Sequence, residues 1–516
     1  MKHQTFLSIL SLALLLISCG GQQKSVNYYF DAENGDDGND GLSQNTPFKS
    51  LGKIADLNIC PGDSILLKSG CVFTEPLYFS GSGSDQSPIV IGKYGGEALP
   101  HLKGDATELQ MLHLFNCEHL KVENLEISNK GLRPRPYLNG ILVEAYNCGR
   151  KSGVVLDRLF IHDVLGTLIK GEGMEHEDAG GGQAIMVRNF RDDGTDSIPS
   201  YFDGFTISNC LIKDSQRNGI IMWGNWIRSK WKPNLNVEIS HNIIEGVPGD
   251  GIMPCGCDGA LIEYNVMRNC PPILPYTEAC DGIWPFSCDN TLIQYNVVSD
   301  HKSQTDGYAY DSDYNCRNST FQYNLSYNND GGFLLLCNSG GWPTDWSAGN
   351  TGTRVRYNVS VNDGIRSHIV KETKNDYYSP LIHITGPSLD NVIEKNIFYV
   401  GKKPIDNMDK RILHSDDWRG YADSTAFNSN FIILEEPNRL GDLTNSTRNY
   451  FLGNKYVGTL NTDGIAGFEK AEGKFDSSFW LDPNDKNWSN LIDFLRDKSV
   501  PIDGKEVKVL KLLGFE

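Results

Sequence analysis

Between Asn124 and Asn430 apolar residues arrive in short runs and never at helical spacing. Asn124, Asn209, Asn242, Asn265, Asn296, Asn324, Asn358, Asn396 and Asn430 each open a two- to four-residue segment such as Asn242-Ile-Ile244 or Asn296-Val-Val298. A second kind of step is a turn dipeptide followed by an apolar residue: Asn139-Gly-Ile141, Asn218-Gly-Ile220, Asp250-Gly-Ile252, Asp281-Gly-Ile283, Asp306-Gly-Tyr308 and Asp363-Gly-Ile365. From Asn209 onward the asparagines recur at intervals of 33, 23, 31, 28, 34, 38 and 34 residues. Strand-length apolar runs bounded by Gly, Asn and Asp predict strands. Repetition with a period of 20–50 residues predicts a solenoid, in which each coil buries its neighbours' inward side chains. The pattern therefore predicts an all-β, single-stranded solenoid.

Composition changes the picture in two places. The chain has 516 residues, ordinarily enough for about three domains, but a solenoid core grows by adding coils; 53 glycines suit many tight turns. A formal net charge of −18 with no basic stripe argues against nucleic acid as a partner. At the N-terminus Lys2 and His3 precede the apolar run Phe6–Ile17, too short to span a bilayer as a mature helix. Its end, Leu16-Ile17-Ser18-Cys19-Gly20, looks like a bacterial lipobox. Residues 1–18 are expected to be a removed leader, with Cys19 lipidated and residues 19–26 a tether; an ordinary signal peptide is the alternative. The expectation is a monomer in the bacterial cell envelope, lipid-anchored at the outer membrane, surface or periplasmic face.

Twelve cysteines remain after Cys19. An oxidising envelope permits disulfides, and Cys60 and Cys71 flank one strand-like run in a way that allows pairing. The crowd from Cys255 to Cys288 invites a zinc reading, but Cys255-Gly-Cys257 lacks the usual spacing, and inward stacks of structural thiols suit a solenoid better. The Asp31–Asn45 loop is faintly like a calcium loop but lacks the closing bidentate glutamate, so a polar turn cluster is expected. No cofactor is required, with calcium kept open there.

The N-terminal module, 27–104, carries Tyr29-Phe30 and the following Gly/Asp loop up to Pro47-Phe-Lys-Ser-Leu51, then Pro61-Gly-Asp-Ser-Ile-Leu-Leu-Lys68 and Ser87-Pro-Ile-Val-Ile-Gly-Lys-Tyr94. These runs resemble the opening of secreted bacterial right-handed parallel β-helix proteins of the pectate-lyase-like superfamily. The closing Ile492-Asp-Phe-Leu495 and Gly514-Phe-Glu516 are similar to that family's last segment. The resemblance implies a right-handed parallel β-helix with N- and C-terminal caps. It also implies a carbohydrate-active enzyme, the reaction left open because the superfamily includes lyases, glycoside hydrolases and esterases. Coils that carry the site are expected over 105–404. The last coils and a cap over the exposed final coil are expected over 405–516, with Phe479-Trp-Leu481 and Trp488 to Leu495 in the cap. Four insertions are expected to cluster on one binding face: Gly171–Gln183, Gly224–Asn234, Pro271–Cys280 and Asn338–Gly349.

Aligning coils on the Gly-apolar step stacks Asn218, Asp250, Asp281 and Asp306, at about 4.8 Å per coil. With Ile252, Ile283 and Tyr308 inward, alternation turns Met253, Trp284 and Ala309 outward, then Cys255, Phe286 and Asp311, then Cys257, Cys288 and Asp313. Asp311 and Asp313 would thus share an outer face about 7 Å apart, a spacing that suits paired-carboxylate glycoside hydrolysis. Crowding would raise the pKa of one of them. Glu278 is a second acid candidate. Each Asp-Gly aspartate has an alternative reading as a turn former. His301, Lys302 and Arg217 are the candidates for an elimination reaction, as base and as cation neutralising a uronate in pectin, alginate or ulvan. Trp223, Trp226, Trp284 and Trp342, with Asp345, form the candidate sugar-binding set. Glu175-His-Glu-Asp178 reads as a solvated rim. Hydrolysis of a complex polysaccharide or oligosaccharide leads; a lyase and a non-catalytic glycan-binding solenoid are the alternatives.

Overall fold

The computed structural model describes residues 24–171, 181–191, 195–341, 347–366, 377–406, 408–472 and 485–515. The expected leader and Cys19, the Glu175–Asp178 run, Trp342, Asp345 and Trp346, and Phe479–Leu481 lie outside the described residues. Strands stack in parallel on three faces. One sheet runs from Asn27–Phe30 to Tyr450–Leu452, and a second from Val72–Phe73 to Phe468–Lys470. The third face comes in two blocks, Leu77–Phe79 through Ile252–Cys255 and Tyr308–Ser312 through Leu413–Asp416. Between the blocks, Ile283 and Phe286 make only single bridges to their neighbours.

Inward positions form rows that cross every coil. On the third face Ile141, Ile185, Ile220, Ile252, Ile283, Tyr310, Leu334, Ile382 and Leu413 follow one another in register, all within one core. Each apolar side chain sits between two like it, so burial comes from stacking rather than from any single coil.

The asparagines hold this register. Asn265 Oδ1 accepts the backbone N–H of Asn242 at 3.0 Å, Asn296 that of Asn265 at 2.9 Å, and Asn324 that of Asn296 at 2.9 Å. The chain of bonds continues through Asn358, Asn396 and Asn430 to Asn454 at 3.0–3.1 Å. Each side-chain amide also donates to a carbonyl one coil back, as Asn324 Nδ2 does to Ile293 at 2.9 Å. The corner residues just before the ladder, His241, Tyr264, Tyr295, Tyr323 and Tyr357, have φ of 54–59°. That left-handed backbone costs about 1–2 kcal/mol per residue, and the satisfied buried amide offsets it. Asn124 and Asn209 do not belong to the ladder. They sit one position earlier, at the left-handed corner (φ 58° and 56°), and it is Cys210 N–H that bonds Asn242 Oδ1. Asparagine at these two sites tolerates the corner; at the others it pairs coils.

Outside the corner the aromatic rings stack from His241 through Tyr264, Tyr295 and Tyr323 to Tyr357. Helix α1, Lys486–Leu495, docks there. Trp488, Leu491 and Leu495 pack on Leu325, Tyr357, Val359 and Ile397, while Asp485 accepts from Tyr357 Oη at 2.8 Å and pairs with Lys395 at 3.2 Å. The segment expected in the terminal cap thus packs along the flank of the second sheet, in a cluster that runs from Val297 to Phe431 with Val457 and Ala471 packed against it.

Two further expectations resolve locally. Cys60 and Cys71 are free thiols, as is every described cysteine; Cys71 donates to Asp31 Oδ1 at 3.3 Å, while Cys257, Cys288 and Cys316 lie in the core. In the Asp31–Asn45 loop Asp31, Asp36, Asp37 and Asp40 each accept backbone N–H groups, the pattern of a polar turn cluster.

Asn324→Ala is expected to cost about 2 kcal/mol or more in denaturant unfolding, since it strands a buried N–H. Asn209→Gly, which suits the left-handed corner, should move the midpoint far less. Equal losses would contradict the ladder assignment.

Candidate active site

The site lies where the third face breaks. Asn218, Asp250 and Asp281 do form a ladder: Asn218 Oδ1 accepts Asp250 N–H at 2.9 Å, and Asp250 Oδ1 accepts Asp281 N–H at 3.1 Å. The next rung is Tyr308, whose N–H donates to Asp281 Oδ1 at 2.6 Å. Asp306 therefore does not stack on Asp281 as expected. Ile283 pairs with Tyr310, so the register is two residues away from an alignment on the Asp-Gly step. Tyr310, not Tyr308, points into the core, and Tyr308 packs with Leu335 and Cys337. Asp306 itself bridges Cys280, one residue off, and the second extra residue is taken up at the turn where Asp306 has φ 52° and Gly307 φ 78°. The Asp306 carbonyl accepts from Arg366 Nη2 at 2.8 Å, and Gly307 N–H donates to Cys280 O at 2.8 Å.

The corrected register carries Asp311 into one outward row with Leu142, Met186, Ile221, Met253 and Trp284 on the earlier coils and Leu335, His383 and His414 on the later ones. Asp313 falls beside Phe286 and Cys337 in the next outward row, which ends at Thr385 and Asp416. Asp313 N–H donates to Pro285 O at 3.3 Å and Tyr314 N–H donates to Asp313 Oδ1 at 2.7 Å. Cys257 and Cys288, expected beside Asp313, are inside.

Four aspartates thus share one electrostatic environment. Burial, then Asp306, Asp250 and Asp313, push Asp281 well above the usual carboxylate range. Burial, then Asp313, Asp281 and Asp306, do the same to Asp311, whose Oδ1 has no hydrogen-bond partner among the described residues. Asp313 is pushed up to about 7 by burial and by Asp306, against the pull of the Tyr314 N–H, Cys337 and Lys170. Asp306 is raised by burial but opposed by His383, Arg366 and Lys170. Asp281 and Asp311 are only 5% and 2% exposed. Asp306 and Asp313 are half-buried, the least covered of the four.

One wall of the site is polar. His383 Nε2 lies 2.8 Å from both Tyr378 Oη and Asp416 Oδ2, and Thr385 Oγ1 donates to Asp416 Oδ1. Burial opposes ionisation of Asp416, yet the His383 and Thr385 bonds hold it down at about 2. The His414 ring stacks on His383 at 5.8 Å, and burial with Arg411 lowers its pKa to about 4. On the rim, Trp418 is 40% exposed and meets the Tyr314 ring edge-on at 5.6 Å.

A family model described as right-handed beta helix region matches residues 176–351. The structure is similar to the GH136 lacto-N-biosidase of Eubacterium ramulus, with a TM-score of 0.58 and 25% identity over 79% of this chain and 67% of that one. A mannuronic acid specific polysaccharide family 6 lyase from human gut microbiota gives a TM-score of 0.50 at 14% identity, covering 90% of this chain and 94% of that one, a likeness of fold. The chain is a right-handed parallel β-helix protein. Among curated proteins the lacto-N-biosidase of Bifidobacterium longum is 28% identical over 473 aligned residues, covering 72% of this chain. The β-helix protein spans only about 29% of the length of that relative.

The remaining expected site residues are placed differently from the acids. Asp250, 1% exposed, accepts from Trp284 Nε1 at 3.1 Å and braces the coil corner. Arg217 has no exposed surface; it donates to Leu168 O at 2.9 Å and lies 3.9 Å from Asp250 and 3.6 Å from Glu278. Glu278 accepts Lys170 N–H at 2.7 Å, so this pair ties the Pro271–Cys280 insertion to the segment before Gly171. His301 is fully buried, its Nε2 on Gly249 O at 3.0 Å and its pKa lowered to about 4 by burial. Lys302 bonds Asn328 O and pairs with Asp330 at 3.3 Å. None of His301, Lys302 and Arg217 is placed as a base or cation facing substrate. Trp284 is outward as expected, but it closes with Trp223 and Trp226 into an apolar cluster with Ile221 and Met253, each tryptophan under 10% exposed, so the three do not offer an open stacking face. Sequence reasoning missed Lys170, Tyr378, His383, His414, Asp416 and Trp418. The outward row through Asp311 would have led to His383 and His414 had it been carried past Asp313.

The buried acids set a pH dependence of stability. Folding raises the Asp311 carboxyl pKa above 3.8, so the native state holds a proton that the unfolded chain gives up as pH rises. Asp311 thus contributes no penalty below about pH 4 and a growing one above it. Asp311→Asn is expected to raise Tm by about 2 °C or more at pH 8 and to leave it unchanged at pH 4. A loss at pH 8 would contradict the assignment.

Proposed function

We propose that this protein is a glycoside hydrolase in which Asp313 protonates the leaving oxygen and Asp306 supplies the negative charge opposite. The observation that carries the reading is that these are the two least covered acids of the cluster, in contrasting surroundings. Asp313 sits near pKa 7 and can hold its proton at neutral pH, whereas Asp306 faces His383, Arg366 and Lys170, which favour its ionised form. Hydrolysis through an oxocarbenium-like transition state needs this division of labour between two carboxyls: one must give a proton while the other either attacks or activates water. Tyr378, His383 and Asp416 form a hydrogen-bonded wall suited to fixing sugar hydroxyls, and Trp418 with Tyr314 offers an apolar edge for a pyranose face.

The likeness to lacto-N-biosidases makes a lacto-N-bioside the substrate to test first. Elimination has less support, because its proposed base and cations are buried or committed to protein partners. The lipobox-like Ser18-Cys19-Gly20 supports a lipid-anchored enzyme of the cell envelope that meets its oligosaccharide outside the cytoplasm.

On an aryl lacto-N-bioside, and on a panel of host and plant glycans, the enzyme is expected to release new reducing ends without absorbance near 235 nm. Asp306→Asn and Asp313→Asn should each lower kcat by about 10²–10⁴-fold, while Trp418→Ala should mainly raise KM. The wild-type rate should fall as pH rises through about 7, where Asp313 gives up its proton. Unsaturated products, or full turnover by Asp313→Asn, would overturn the reading.

A further inference from the structure

Far from the acidic site, on the second sheet, His101, Glu126 and His162 meet across three successive coils. The strands are His101–Gly104, Glu126–Asn129 and Phe160–Val164, with His101 in register with Glu126. His101 Nδ1 lies 3.4 Å from Glu126 Oε1, and His162 Nε2 lies 3.1 Å from the same oxygen. One ligand atom from each residue falls within 4.8 Å of the other two. A tetrahedral ion with bonds of about 2.0–2.2 Å places its ligands about 3.3–3.5 Å apart, so the cluster is already near that size.

The outer nitrogens decide what the inner ones can do. His101 Nε2 is 2.8 Å from Ser128 Oγ, and His162 Nδ1 is 2.8 Å from Asp163 Oδ2. Asp163 accepts from Lys130 Nζ at 2.7 Å, so it is an ionised acceptor. A neutral His162 donating to Asp163 must turn the Nε2 lone pair inward, and a neutral His101 donating to Ser128 does the same with Nδ1. Two lone pairs and a carboxylate then converge on one point, an arrangement that a metal ion, or a proton on one imidazole, relieves. Histidines held through their far nitrogen by a carboxylate or hydroxyl are the outer shell that metal ligands require. The Phe160 ring, stacked on His162 at 4.4 Å, fixes the imidazole further. The three side chains are 15–28% exposed, which leaves a way in and room for water.

We propose that His101 Nδ1, His162 Nε2 and Glu126 form a zinc site that staples three N-terminal coils, water completing the tetrahedron. Two imidazoles and one carboxylate suit zinc better than calcium or magnesium, which favour oxygen ligands. The site is independent of the catalytic reading.

The test is calorimetric titration of chelator-treated full-length protein with zinc chloride, with thermal unfolding run in parallel. One ion per chain is expected, together with a rise in Tm. His162→Ala should abolish both, and Glu126→Gln should weaken binding at least tenfold. Asp163→Asn, which touches only the outer shell, should weaken it about 10–100-fold. If His162→Ala does not fold, the Glu126→Gln and Asp163→Asn titrations decide. No binding at micromolar zinc, or binding that Glu126→Gln and Asp163→Asn leave unchanged, would overturn the site.

Discussion

The structure depends on one interaction repeated: a buried side-chain oxygen on one coil accepting a backbone N–H of the neighbouring coil. Parallel strands in a solenoid gain little register information from apolar stacking alone, because valine and isoleucine rows fit nearly as well after a slip. A buried amide does not. Displacing it by one position strands an N–H and a carbonyl away from water, each at a cost of about 1–3 kcal/mol. The Asn242–Asn454 ladder uses this penalty to fix one corner of the helix, and Asn218, Asp250 and Asp281 use it at another. Where the second ladder ends on a bare backbone N–H, that of Tyr308, the coil gains a turn and the acidic cluster begins.

That change of register is what makes the site. Had Asp306 continued the ladder it would have become another corner brace like Asp250, with its oxygens spent on backbone N–H groups. Displaced by one residue onto Cys280, it is half-buried and its backbone carbonyl is held by Arg366. The same change of register sets Asp311 beside Trp284 and brings Asp313 level with Phe286, close enough for the four acids to raise one another. Concentrating buried negative charge is destabilising, and the regular ladders and apolar rows on either side tolerate it. The frayed pairing of Ile283 and Phe286 marks where regularity gives way to chemistry.

Much of the architecture was legible in the sequence, since a 20–50-residue repeat of apolar runs and Asn/Asp turns has few other solutions. The acids of the proposed site were also singled out there. Their roles were not separated, because Asp-Gly was taken as a fixed register mark, whereas Asp306-Gly307 sits in an added turn and Asp281-Gly282 in a ladder. Asn124 and Asn209 misled for a related reason: asparagine serves both as coil-pairing amide and as left-handed corner, and sequence spacing does not distinguish the two. His301, Lys302 and Arg217 looked available because polar residues near an acidic coil usually are, yet a solenoid with insertions has an interior for them. His383, His414 and Asp416 come from coils 70 to 100 residues beyond the acids and reach the site only through strand register, so no local motif announces them. The C-terminal helix was read as a coil-end cap because its amphipathic pattern fits any apolar face, including the flank it covers.

The account's central claim is that register brings Asp306 into the acidic cluster of Asp311 and Asp313, where its charge adds to the rise of Asp313. Titration of carboxyl signals in protein labelled at aspartate, compared between wild type and Asp306→Asn, measures that contribution directly. The account predicts an Asp313 midpoint near 7 in the wild type and a clear fall when the Asp306 charge is removed. An Asp313 that titrates in the ordinary carboxylate range, with the same midpoint in both proteins, would contradict it.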